Sequence, residues 1–195
     1  YYPHNRTPNE KSTLLSQSCK PHVQSLDFPA FFCKFVSTFE NMVKQRIYID
    51  TSVIGGYYDD EFSSDTVKFF ERVYNDDFQV YLSEISKLEL IPAPKHIQDV
   101  LNLIPPKSLI ILEFTEESRQ LAEYYISEKI LGPASMDDAY HIAIATVNRI
   151  DILLSWNFKH IVNWDKIRLF NAINMKNGYP SIEIRSPKEL LKYED

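Results

Sequence analysis

Five short β-rich runs, each followed by a stretch of helical period, constrain this chain more than any other feature. The first of them, Arg-Ile-Tyr-Ile-Asp-Thr-Ser-Val-Ile from Arg46 to Ile54, stops on a carboxylate. Apolar and β-branched residues run into Asp50, and Thr51 and Ser52 then favour a turn or a helix cap over more strand. In open α/β sheets ligands collect where strands end, so an acid at that place sits on a rigid element at the mouth of a crevice. An Asp that merely caps the next helix would leave the same trace.

The remaining runs set the fold class. Gly55-Gly56 and the acidic segment to Asp60 read as a flexible connection, and Asp65–Tyr74 has helical spacing at Val67, Phe70, Val73 and Tyr74, with Ser64 or Asp65 as caps. Phe78–Leu82 is a second strand. Ser83–Ile91 is a short helix ended by Pro92, Pro94–Leu103 a further helix, and Pro105-Pro106 closes it. A third strand, Leu109–Phe114, leads through Thr115 as cap into a helix to about Ile130, which Gly132-Pro133 terminates. Ser135–Arg149 is the strongest helical signal, followed by a strand at Asp151–Ser155, a helix at Asn163–Met175, a strand at Ser181–Ile184 and a helical turn at Pro187–Tyr193. Strands alternating with helices require parallel pairing with helices on both faces, hence a three-layer α/β/α sandwich around a mostly parallel sheet.

Composition bounds the rest. At 195 residues and 44% hydrophobic content the chain has the size of one globular domain with a substantial core. A net charge of −6 argues against gripping nucleic acid through a broad basic surface, yet it suits carboxylates gathered to hold divalent cations. No apolar run approaches the length needed to cross a bilayer and no basic-then-apolar leader opens the chain, so a cytoplasmic protein without membrane contact is expected. Both cysteines, Cys19 and Cys33, precede Met42, so no disulfide framework or thiolate metal site supports the main body. A Cys19–Cys33 bridge stays open. The first 41 residues differ in character: a polar, proline-bearing opening, then Phe28, Phe31, Phe32, Phe35 and Phe39 at spacings that allow an amphipathic helix. We expect residues 1–41 to be an extension preceding a natural start at Met42, and residues 42–195 to be the functional domain.

Four positions gather at strand ends: Asp50 after the first strand, Glu89 in the helix after the second, Asp138 at the start of the strongest helix and Asn157 just past the fourth strand. In a parallel sheet these ends share one edge, so four separate segments converge. Hard cations such as Mg²⁺ and Mn²⁺ take several carboxylate or carbonyl oxygens, and such ions support phosphodiester hydrolysis. Each residue also has a plainer reading. Asp138 lies three after Ser135 in a capping-box pattern, Glu89 suits a solvated helix face, and Asn157 suits an Asx turn. Asp137 and Glu84 compete for the same roles at lower rank. His141 shares a helix face with Asp138 and reads as a core or supporting histidine, and His160 beside Lys159 sits near the mouth. No Gly-x-Ser-x-Gly elbow, Gly-x-x-x-x-Gly-Lys loop or Gly-x-Gly-x-x-Gly turn occurs, which removes hydrolase-triad, P-loop and dinucleotide chemistry. A haloacid-dehalogenase-type phosphatase wants a second Asp two residues after the first, where Ser52 stands.

Ile-Tyr-Ile-Asp50-Thr-Ser-Val-Ile, Ser-x-x-x-Leu-Glu89-Leu, Asp138-Ala-Tyr-His-Ile-Ala-Ile-Ala and Leu-Leu-Ser-Trp-Asn157-Phe-Lys-His-Ile, in this order, resemble the PIN domain and in particular VapC-like toxins of bacterial toxin–antitoxin pairs. The likeness runs from about Lys44 to about Leu191. It implies an α/β/α fold, a Mg²⁺- or Mn²⁺-dependent endoribonuclease, a homodimer, an RNA substrate and a cognate antitoxin. By position, Asp50, Glu89 and Asp138 would be the metal-holding acids, Asn157 would orient the attacking water, and Ser52 would be a supporting hydroxyl. The family commonly has Asp where this chain has Asn157, which weakens a second metal position. A catalytically weak PIN-fold module that binds antitoxin or RNA is the alternative.

Overall fold

The computed structural model describes residues 44–192. The expectations placed on the first 41 residues, including the aromatic helix and the cysteine bridge, lie outside the described part. Five strands form one parallel sheet in the order β3-β2-β1-β4-β5: β1 Gln45–Ile49, β2 Phe78–Ser83, β3 Leu109–Leu112, β4 Ile152–Leu154 and β5 Glu183–Arg185. The helices are α1 Thr51–Gly55, α2 Ser63–Tyr74, α3 Glu84–Leu90, α4 Lys95–Gln98, α5 Glu116–Ser127, α6 Met136–Val147, α7 Trp164–Lys176 and α8 Pro187–Lys192. None is long and apolar enough to cross a membrane among the described residues.

The side-chain alternation of β1 and β4 builds the three layers, because neighbouring strand residues point to opposite faces. Ile47, Ile49, Ile152 and Leu154 enter one core with Val53, Phe69, Phe70, Val100 and Leu190, beneath α1, α2 and α8. Tyr48 and Leu153 enter the other with Leu121, Tyr125, Ile142 and Phe170, beneath α5, α6 and α7. The expected α/β/α sandwich is therefore the observed one.

Strand order also fixes where a site can lie. The chain lays β1, β2 and β3 in one direction, then returns across one face to place β4 on the other side of β1. The carboxyl ends of β1 and β4 thus flank the point where the winding reverses, the place where open sheets leave a crevice.

Two local expectations change. The connection after β1 is wound: α1 runs straight into a 3₁₀ turn at Gly56–Tyr58, and Gly56 is required there because a Cβ would stand 2.8 Å from the Trp156 ring. Pro94–Leu103 is not one helix but a single turn at Lys95–Gln98 followed by a 3₁₀ segment at Asp99–Leu103. The β5 edge is closed by a side chain, since Asn171 of α7 accepts from Ile182 N at 2.8 Å and donates to its carbonyl at 3.1 Å, as a neighbouring strand would.

Candidate active site

Asp50 ends β1 and is only 4% exposed. It is the N-cap of α1, accepting from the Ser52 amide, so the cap reading and the site reading hold together. Its second oxygen accepts from the Ser52 hydroxyl at 3.0 Å and from the Ser155 hydroxyl. Ser52 and Ser155 are themselves fixed, because the Trp156 amide donates to Ser52 Oγ at 2.9 Å and the Asn157 amide to Ser155 Oγ at 2.9 Å. Two hydroxyls thus clamp the carboxylate across the β1–β4 crevice, and among the described residues no lysine or arginine is bonded to it. Ser155 escaped the sequence reading, although a hydroxyl at a strand end two residues before Asn157 was the available signal.

Glu89 reaches the crevice from α3, whose start is set by a Ser83–Ser86 capping box. Its Oε2 accepts from Thr51 Oγ1 at 2.8 Å and lies 3.0 Å from His141 Nε2. A carboxylate only accepts, so His141 Nε2 carries a proton. On its other side His141 Nδ1 is 2.7 Å from the Tyr48 hydroxyl, which donates to Ser83 Oγ at 2.8 Å. Burial opposes the charge on this 3% exposed ring, but Tyr48, the Glu89 hydrogen bond and the Asp50 carboxylate outweigh it and raise its pKa well above the ordinary value. The partner shift agrees in sign: burial pushes Glu89 up, and His141 and Thr51 bring it down to below the usual glutamate value. His141 is accordingly a supporting histidine.

Asp138 lies in the first turn of α6. Ser135, three residues before it, makes no side-chain cap bond, so the anticipated capping box is absent there and the buried box stands at Ser83–Ser86 instead. Burial raises the Asp138 pKa, and the nearby Asp50 charge adds to the shift against the opposing influence of His160, His141 and Ser135. Asn157 Nδ2 donates to Asp138 Oδ1 at 2.8 Å, and Asn157 Oδ1 accepts the His160 amide at 3.0 Å. A carboxylate cannot donate and an amide N–H cannot accept, so the orientation of the Asn157 amide is unambiguous. Asn157 thereby ties the loop after β4 to α6, an employment that the Asx-turn reading foresaw only on the His160 side. Asp137 and Glu84 are exposed, and Glu84 accepts from the Phe114 amide at 3.1 Å instead of turning inward.

Asp50, Glu89, Asp138 and Asn157 therefore stand at one edge of the sheet, in a chain of contacts that runs through Ser155 and Thr51. Among the described residues no three His, Cys, Asp or Glu side chains form a ready metal cluster; the acids are held apart by hydroxyls, an amide and one imidazole. The donor chemistry, all oxygen and mostly carboxylate, fits a hard dication such as Mg²⁺ or Mn²⁺.

Comparison with known proteins follows from this geometry. Similar solved structures include VapBC2 from Rickettsia felis bound to a promoter DNA fragment, at 14% identity and TM-score 0.46 over 73% of this chain and 98% of that one. FitAcB from Neisseria gonorrhoeae gives 18% identity and TM-score 0.46 over 72% and 97%. VapC20 of Mycobacterium tuberculosis, described as a sarcin-ricin loop cleaving toxin, gives 12% identity and TM-score 0.44 over 70% and 98%. No curated protein matches the sequence. The PIN domain family profile matches residues 47–158, the span that holds all four strand-end residues, and the chain belongs to the PIN domain family.

Proposed function

We propose that residues 42–195 form a divalent-metal-dependent endoribonuclease, acting as the toxin of a toxin–antitoxin pair. The observation that carries this reading is the clamped, buried Asp50 at the point where the winding of the sheet reverses, with Glu89 and Asp138 beside it and no lysine or arginine in contact with any of the three among the described residues. Asp50 is buried with hydroxyls and an amide as its partners among the described residues, and a buried carboxylate without a cationic partner is costly to fold, so its retention supports a cation in use.

Asp50, Glu89 and Asp138 would hold Mg²⁺ or Mn²⁺, which when bound activates water toward phosphorus and offsets negative charge on the phosphate. Ser52 and Ser155 keep both oxygens of Asp50 in one orientation. His141 and Thr51 hold Glu89 ionised and aimed inward. Asn157 keeps Asp138 and the loop after β4 in register, and from that position would orient the attacking water. An antitoxin partner and a homodimer belong to the same proposal and rest on the sequence motifs.

Incubating the full chain with a pool of single-stranded RNA and transfer RNA tests the reading. Cleavage that needs Mn²⁺, stops with chelator and is lost in Asp50→Asn supports it; cleavage retained in folded Asp50→Asn removes the assignment. The second reading, a PIN-fold binding module with little turnover, is favoured by the structural use of Asn157 in place of an acid. It predicts RNA or antitoxin binding without cuts in any metal.

A further inference from the structure

A second feature lies beside the acids. A groove of about 710 Å³ runs between β5 and the first turns of α7, and two aromatic rings, Phe158 and Trp164, line it at 48% and 74% exposure. Water-exposed rings of this size are costly unless something covers them. One ring of the groove, Phe158, directly follows Asn157, whose side-chain amide donates to Asp138. The lining itself carries Asp151, Glu183 and Glu189 against Arg185, and the chain segment that bears the rings is basic. From Phe158 to Lys192 the chain carries seven lysines and arginines against three acids, net +4, so the remainder of a −6 chain carries −10. Lys159 and Lys166 flank the rings in sequence, and Lys166 Nζ lies 3.2 Å from His160 Nδ1. The acids that line the groove are already engaged: Asp151 by Arg46, Glu183 by Arg185, and Glu189 by the Ser186 amide and hydroxyl. A peptide adding as a strand is disfavoured, because the Asn171 amide already occupies the N–H and C=O of Ile182.

We propose that this groove is a base-stacking subsite for single-stranded RNA, in which an unpaired nucleobase lies on Trp164 and Phe158 and the neighbouring phosphates meet Lys159 and Lys166. It deepens the nuclease reading and rests on it for the nature of the substrate. Single strands expose a π-face at every base, whereas a duplex buries them, so the subsite selects unpaired RNA.

The test uses the full chain in chelator, where binding is read apart from cleavage, with a labelled single-stranded RNA dodecamer and the same sequence as a duplex. Only two tryptophans are present and Trp156 is 7% exposed, so quenching of the exposed Trp164 reports stacking directly. We expect saturable quenching by the single strand, at least ten-fold weaker binding of the duplex, and roughly ten- to hundred-fold weaker single-strand binding in Trp164→Ala, the scale of one lost base stack. Trp164→Phe keeps a ring and most of the affinity, Trp164→Leu keeps bulk and loses it, and Tyr74→Ala, which removes an exposed ring on α2, binds as wild type. Unchanged affinity in Trp164→Ala and Trp164→Leu, or equal binding of duplex, overturns the proposal. Stacking without cleavage when Mn²⁺ is restored leaves the subsite standing and the nuclease reading fallen; cleavage without any Trp164 effect gives the reverse.

Discussion

The two ends of the central strands carry the same residue type and use it in opposite ways. At the amino end, Asp151 is gripped by the Arg46 guanidinium at 2.7 Å, and Asp76 is held by Lys44, by Lys107 at 2.7 Å and by the Ser108 hydroxyl at 2.6 Å. Each of those acids has at least one cationic partner. At the carboxyl end, Asp50, Glu89 and Asp138 have, among the described residues, hydroxyls, amides and the His141 ring as hydrogen-bond partners, with no lysine or arginine bonded to them. Matched charge makes a structural clip; the proposed function assigns the less matched end to a cation, because folding alone gains little from it.

The largest effects are expected where the unmatched charge is removed. Asp50→Asn keeps the helix cap, since Asn caps as well as Asp, and the two serine hydroxyls can rotate to accept from its amide. RNA cleavage should fall by about a thousand-fold or more, in line with loss of a group central to metal-assisted hydrolysis, while the melting temperature in chelator holds or rises. A folded variant with a lower melting temperature in chelator and full cleavage would place Asp50 with the clips.

His141→Ala comes next. It removes the imidazole that partners Glu89 and strands Glu89 and the Tyr48 hydroxyl, at a cost of about 2–3 kcal/mol by denaturant melt, discounted because Glu89 is partly exposed. His141→Gln, which still donates to Glu89, should recover part of both stability and cleavage. Equal damage from Ala and Gln would mean that His141 only fills space.

Asn157→Asp sharpens the contrast further, because it adds a fourth acid where the geometry demands a donor. It loses the Asp138 hydrogen bond and sets like charges together, for a destabilisation of about 1–2 kcal/mol in chelator. Protonating one of the two carboxyls restores a donor, so the deficit should grow as pH rises and shrink as it falls, and Mn²⁺ should offset it. Unchanged melting in chelator at neutral pH would show that the Asn157 contact carries no weight.

The smallest effect belongs to the amino end. The three partners of Asp76, Lys107 first, hold its carboxyl well below the usual carboxylate range. A folded pKa lowered in this way contributes stability that is present above the unfolded value near 3.9 and disappears as pH falls toward the folded one. Asp76→Asn, which tolerates the left-handed φ of 71° at that position, should lower the melting temperature slightly at pH 7, lose that difference progressively as pH falls below about 3.9, and leave RNA cleavage untouched. Lost cleavage there would erase the distinction between the two ends.

Much of this was written in the chain, for definable reasons. Asp50 stood out because a β-branched run stopping at an acid is a local signal, and Thr115 was legible as a cap for the same reason. The pairing of Glu89 with His141, 52 residues apart, was not legible, since period and spacing say nothing about contacts between helices. Neither was the Tyr48 hydroxyl, which alternation assigns to a core face without revealing that its tip meets a histidine there. The wound turn after β1 was misread as a flexible link because two adjacent glycines usually mean freedom, whereas Gly56 serves a close approach of Trp156.

Calorimetric titration of Mn²⁺ into wild type, Asp76→Asn and Asp50→Asn, full chain and free of RNA, tests the central claim most directly. Saturable binding in the first two and its loss in Asp50→Asn is the predicted result. Binding that survives Asp50→Asn unchanged, or that Asp76→Asn abolishes instead, would contradict the assignment of the carboxyl end as the cation receptor.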